Sequence, residues 1–318
     1  MSIGATLSKL FFKRVQLVMV YLFLLVLILI SGFLNRRFLS LENFSNLLSS
    51  AVPYLLIAFA QTIILIVGGI DLSVGSIVSL SNVLCARFMG NTPFGFIPGL
   101  VLALAAGAAA GFANGIIITR GRLQPIIVTL SSSSIIAGLA LAILPVPGGV
   151  IPSGFARIVN GSMDVPVPLM AGIFFTVFLW IVLNMTKFGR SVYAIGGSEN
   201  AAYSSGVAID RIKMISYIIS GLLSAFAGIY ISSQIYSGDP LLGANMSLVS
   251  ITTAVLGGTI LGGGKGNIIG SIAGVFIFII INNVLNLTGV SSFYQFILQG
   301  SLLIFALTIG SLRIRRRY

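Results

Sequence analysis

Side chains able to do chemistry are few in this chain, and their types exclude most reactions. Six acidic residues are present, Glu42, Asp71, Asp164, Glu199, Asp210 and Asp239, with no histidine and one cysteine, Cys85, inside an apolar run. Absence of histidine removes His-based acid–base catalysis and His metal ligation. A single cysteine supplies neither a disulfide framework nor a thiolate metal site. No HExxH or GxSxG occurs, and Gly262-Gly263-Gly264-Lys265-Gly266 lacks the GxxxxGK[ST] spacing of a phosphate loop. The chain is therefore expected to be no enzyme, to hold no metal or cofactor, and to draw any energy it uses from another chain.

What remains is a set of polar groups whose spacing suggests positions on helices. In Gly68-Gly69-Ile70-Asp71-Leu72-Ser73-Val74-Gly75-Ser76 two glycines permit an abrupt turn. Asp71 can then cap the next helix by accepting from the free N–H groups of its first turn. Two readings stay open: a tight connection between membrane helices, or a broken segment that brings polar backbone and the Ser73 and Ser76 hydroxyls to a transmembrane path. Ser131 to Ser134 form a run that small-residue helix packing explains, with Ser131 and Ser134 kept as path candidates. Asn282, Asn283 and Asn286 either line such a path or bond between helices. In the long charged connection 187–213, Ser198 fits an N-cap and Gly206 a C-terminal stop. Between them Glu199, Asn200, Ala201, Ala202, Tyr203, Ser204 and Ser205 would form a helix of roughly 10 Å. That helix is either an ordinary solvated loop or a docking knob for a cytoplasmic partner.

The elements that must position these groups are membrane helices. Of the 318 residues, 57% are hydrophobic and 8% charged, with a mean hydropathy of +1.10. A soluble domain carries roughly a quarter charged residues, whereas here the apolar residues form long runs with charge in the gaps. No period-2 alternation governs the runs, so an all-α polytopic membrane protein is expected, not a barrel. Ten spans can be drawn, over about 15–34, 46–67, 71–89, 97–119, 125–144, 167–185, 212–236, 244–261, 265–286 and 291–311. The first is long for a signal-peptide core and lacks a small-residue cleavage site, so it is read as a retained span. With both termini cytoplasmic, all but four of the 18 basic residues fall inside, the exceptions being Arg36, Arg37, Arg87 and Arg157. The positive-inside rule thus accounts for the +12 charge, and nucleic acid is not an expected partner. Five spans per half would make the halves 15–144 and 167–311 of this single 1–318 domain inverted repeats, a common transporter plan. The segment at 69–75 echoes Gly238-Asp239-Pro240-Leu241-Leu242-Gly243, and Gly121 to Ile127 echoes Gly289 to Gln295.

From about residue 40 to 311 the chain resembles the permease family of bacterial carbohydrate ABC importers, the ribose, xylose, arabinose and galactose type. The resemblance is carried by Gly68 to Ser76, Gly121-Arg122-Leu123-Gln124-Pro125, Phe188-Gly189-Arg190, Ala194-Ile195-Gly196-Gly197 and Ala201-Ala202. It continues through Val255-Leu256-Gly257-Gly258-Thr259, Gly262 to Gly266 and Asn282-Asn283, in that order and spacing. It implies a multi-pass protein of the inner membrane, surrounded by lipid and paired with a second permease chain as a homo- or heterodimer. Substrate would come from a periplasmic substrate-binding protein, and the helix of Glu199 to Ser205 would sit in a cleft of an ATP-binding subunit whose closure drives alternating access. Two departures stand out: Ser247 and Val249 replace an acidic pair common in the family, and Ala137 replaces an Arg often found before the following Gly. These lost charges bear on the exact substrate and fit one half of a heterodimer. The same machine with a nucleoside, sugar alcohol or sugar-like signal as cargo stays open. From another class so does an ion-coupled secondary transporter, although carboxylates and histidines inside spans, which such a protein uses, are nearly absent.

Overall fold

A computed structural model describes residues 3–92, 94–161 and 166–315. The regular elements there are helices: α1 (Ile3–Leu34), α2 (Leu41–Val67), α3 (Val74–Phe88), α4 (Phe96–Gly121), α5 (Pro125–Ile143), α6 (Ser153–Asn160) and α7 (Val167–Met185). They continue with α8 (Lys187–Gly197), α9 (Glu199–Ser204), α10 (Ile209–Ile235), α11 (Met246–Leu256), α12 (Ile268–Leu287) and α13 (Ser292–Arg315). A short 3-10 turn, Arg36–Leu39, joins α1 to α2. The all-α, polytopic expectation holds. Among the described residues seven helices are long and apolar enough to cross a membrane: α1, α2, α4, α5, α7, α10 and α12. Each of the ten expected spans falls on a helix, but α3 and α11 have only 15 and 11 residues. At 1.5 Å per residue they reach roughly 22 and 16 Å, short of a hydrocarbon core of about 30 Å. Arg316, Arg317 and Asp164 lie outside the described residues.

The helix α2 is enclosed by neighbours along nearly its whole length and forms the centre of the bundle with α10. By contrast α1, α5 and α7 present broad apolar faces outward, including Leu22, Leu29, Ile135, Phe174 and Phe178. In water such faces would be unfavourable; in a bilayer they meet acyl chains. Because lipid is as apolar as leucine, close packing and polar clamps hold helices together in this setting. Gly107, Gly111 and Gly115 put a stripe of small residues on α4 against α10, and a Cβ added at Gly107 would lie 2.5 Å from the Gly221 carbonyl oxygen. A polar clamp joins α2 to α12: Asn43 and Asn283 exchange amide hydrogen bonds of 3.2 and 2.8 Å, and Asn43 also donates to the Phe38 carbonyl at 2.9 Å. Asn43→Ala and Asn283→Ala are each expected to destabilise by about 1 kcal/mol, with a coupling of about 0.6 kcal/mol between them. Thermal unfolding of both singles and the double in detergent measures it; strictly additive losses would remove the clamp.

Candidate functional site

Between α2 and α3 the chain does not simply turn. Gly68 ends α2 in the left-handed region (φ 93°), and Gly69 to Ser73 run unwound through the protein interior, where Asp71 and Ser73 are almost wholly buried. Backbone stripped of helical partners inside a membrane bundle must find others. The Asp71 carboxylate accepts from the Ser73 amide (2.9 Å), the Ser73 hydroxyl (2.6 Å) and, from α10, the Ser220 hydroxyl (2.7 Å). Asn114 of α4 donates to the Ser73 hydroxyl (2.9 Å), and Thr129 of α5 to the Ile70 carbonyl (3.1 Å). Three helices, α4, α5 and α10, thus hold one unwound stretch of chain.

Asp71 does not bond the first turn of α3 as its position suggested; its amide donor is Ser73, one residue short of that helix. The cap comes from the other half of the chain. The Ser247 hydroxyl accepts from the Gly75 amide (2.9 Å), the second position of α3, and donates to the Leu72 carbonyl (2.7 Å). An oxygen accepting from the second helical N–H is what an N-cap side chain normally provides. In return Ser79 of α3 accepts from the Gly243 amide (2.9 Å), just before α11. The two short helices therefore start against each other, so closely that a Cβ at Gly75 would lie 2.2 Å from the Gly243 carbonyl oxygen.

The remaining path candidates take up other places. Ser76 shares a 2.6 Å hydrogen bond with Ser133, tying α3 to α5. Ser131 and Ser134, on the exposed side of α5, donate to the carbonyls of Ile127 and Leu130 in their own helix. Asn282 donates to the Phe278 carbonyl and accepts from Gln299 of α13 at 3.1 Å, and Asn286 accepts from Gln295 at 2.8 Å. Asn283 is the α12 partner in the clamp with Asn43. All three asparagines bond to a neighbouring helix.

Close to Asn282 lies a cavity of about 290 Å³ between α11, α12 and α13, lined by Asn245, Leu248, Val249, Thr252, Phe278 and Gln299. A mostly apolar wall with an aromatic ring and a few amides and hydroxyls is ordinary small-molecule site chemistry. The sequence alone singles out none of Asn245, Thr252, Gln299, Ser220 and Asn114, and marks Ser247 only as a departure from the family's acidic pair. Each is a small or uncharged polar residue in a largely apolar run, and only the folded packing shows which of them meet.

At one end of the bundle, the Ser198 hydroxyl accepts from the Ala201 amide (3.3 Å) and starts α9, which stops before Gly206 (φ 77°). Ala202 is buried against the protein, whereas Glu199, Asn200, Ala201, Tyr203, Ser204 and Ser205 face outward, Tyr203 at 75% exposure. Lys213 of α10 bonds Glu199 at 2.7 Å. The preceding α8, a second helix in a stretch expected to hold only one, packs on α2.

Residues 43–307 match the family described as branched-chain amino acid transport system / permease component. The chain is 41% identical over 295 residues to ribose import permease protein RbsC of Bacillus subtilis (strain 168), spanning 91% of each chain. Its identity is 35% over 297 residues with the protein of the same name from Escherichia coli (strain K12), again 91% of each. With galactose/methyl galactoside import permease protein MglC of Escherichia coli (strain K12) it is 33% over 322 residues, 94% of this chain and 95% of the relative. No solved structure matches the chain. A family match over most of its length and relatives above 30% identity along nine-tenths of it establish that this chain belongs to the permease family of carbohydrate ABC importers.

Proposed function

We propose that this chain carries a monosaccharide inward by alternating access, driven by ATP hydrolysed on a separate subunit. As a permease of an ABC importer it is a multi-pass protein of the bacterial inner membrane, lacks its own nucleotide site, and works with ATP-binding and substrate-binding protein partners. The relatives' named cargoes, ribose and galactose or methyl galactoside, point to a sugar of this size. The observation that carries the reading is the meeting of α3 and α11, two helices too short to span, each preceded by unwound chain and starting against the other. Discontinuous helices of this kind build the central site of many transporters.

The ten-span topology, in which α3 and α11 cross only together with the unwound chain before each, and the inverted halves draw support from the same packing. Each half has a 27-residue helix (α2, α10) followed by a short helix (α3, α11). α10 packs on α3 and α4 as α2 packs on α11 and α12. The chain is then one permease domain of two inverted halves, with cytoplasmic termini set by the basic connections at Arg120, Arg122, Lys187, Arg190, Arg211, Lys213 and Lys265. Helix α9 is the element the ATP-binding subunit grips, and a second permease chain completes the pathway. The cavity at Thr252 and Gln299, whose amide donates to Asn282, forms part of the sugar's route, with Asp71, Ser73 and Ser76 fixing the broken segment that Ser247 of α11 meets. Ser131, Ser134, Asn283 and Asn286 support the surrounding helices.

A route through that cavity is tested by Gln299→Leu and Thr252→Val. Loss of one hydrogen bond to a sugar hydroxyl is expected to raise the KM for uptake about fivefold to tenfold, with the ATP-binding subunit still attached. Unchanged KM in both variants would move the route elsewhere.

A further inference from the structure

Six residues after Ile66, near the end of α2, comes Leu72, whose carbonyl accepts from Ser247 of α11. Beyond the other end of α11 the glycine turn at 262–266 folds back, and the Gly264 amide donates to the Ile66 carbonyl at 2.8 Å. The end of α2, the broken segment, α11 and the glycine turn therefore form a closed ring, joined by hydrogen bonds at Ser247–Leu72 and at Gly264–Ile66. The last turn of α8 is wedged against the second junction. A Cβ added at Gly196 would lie 1.7 Å from the Ile66 carbonyl oxygen and 2.4 Å from the Gly264 amide nitrogen, while one at neighbouring Gly197 would meet nothing within 4 Å. Tyr193, one turn earlier, donates to the Gly266 carbonyl at 3.0 Å. Only Ser198 separates α8 from the docking helix α9.

We infer that Gly196 is the positioning residue through which movement of the docking helix reaches both broken segments at once. A force on α9 passes through a rigid α8 to a main-chain junction, with no flexible side chain between to absorb it. The ring shares the displacement between the segment before α3 and the helix α11, whose starts face each other at the pathway. A methyl group at Gly196 would push α8 off the junction by more than an ångström, and coupling carried by packed contacts is lost when the contact opens. This inference rests on α9 being the site of ATPase docking.

The test reconstitutes the chain with its ATP-binding and substrate-binding partners in liposomes and measures solute imported per ATP hydrolysed. Gly196→Ala is expected to assemble with the ATP-binding subunit yet lower that ratio about tenfold, with Gly197→Ala at the wild-type ratio. Tyr193→Phe, which removes a bond to the glycine turn without adding bulk, is expected to lower the ratio severalfold and decides the matter should Gly196→Ala fail to accumulate. A wild-type ratio in Gly196→Ala, or in Tyr193→Phe in that event, would overturn the wedge while leaving the importer reading intact. Uptake by the wild-type complex that ignores ATP would instead overturn both.

Discussion

Replacement of residues 199–205 by a glycine–serine segment of equal length is expected to leave the permease folded and to abolish its association with the ATP-binding subunit. The fold has little invested in this segment: of the six residues of α9 only Ala202 is buried. The Lys213–Glu199 pair is exposed, with Glu199 56% accessible, and such pairs contribute at most about 1 kcal/mol. The proposed docking interface is in the opposite position. A short helix inserted into a cleft concentrates binding in a few side chains, and loss of such a cluster costs about 3 kcal/mol or more, a fall of at least ~100-fold in affinity. Co-purification with the ATP-binding subunit should disappear while the melting temperature of the permease stays near that of the wild type. Retained co-purification would place docking on another surface, and a large fall in melting temperature would give α9 a structural role.

The largest single-residue effect on stability is expected from Asp71→Ala. It leaves the Ser73 amide, the Ser73 hydroxyl and the Ser220 hydroxyl without their acceptor in a site buried from solvent. Both hydroxyls can rotate toward other oxygens, so the sum of three full penalties is too high. A loss of about 3 kcal/mol is the reasonable scale. Ser220→Ala, removing one donor from a carboxylate that keeps two others, should cost about 1 kcal/mol. Thermal unfolding of both variants in detergent gives the ranking. Equal losses would mean that the broken segment is held by its packing and not by the carboxylate.

The origin of these effects explains what could be read in the chain beforehand. Long apolar runs reveal their own helices, because the signal lies within twenty residues, and a helix lies on each of the ten runs, although α3 and α11 fill theirs only in part. The fold brings Gly75, in the segment 69–75, against Gly243, in the segment 238–243 that loosely echoes it. Ser198 and Gly206 likewise bounded α9 by local backbone chemistry. Contacts between distant residues were not legible. Ser247 caps α3 across 172 positions and Asn283 pairs with Asn43 across 240, yet nothing local to either residue names its partner. The missing first-turn bonds of Asp71 follow from the same cause, since Ser247 had already taken Gly75. This also gives the departure at Ser247 a structural account: a hydroxyl suffices to cap α3 there. Helix α6 and the wedge at Gly196 were hidden because loop composition shows neither a partner nor a distance.

The central claim, that this chain is a permease powered by a separate ATPase, is tested most directly by purifying the tagged chain from its native membrane and assaying the preparation. An ATP-binding subunit should co-purify in the wild type and be lost in the 199–205 replacement, and vesicles containing the complex should take up sugar only when supplied with ATP. A chain that purifies alone and still transports in ATP-free vesicles, with uptake collapsing when an ion gradient is dissipated, would contradict it.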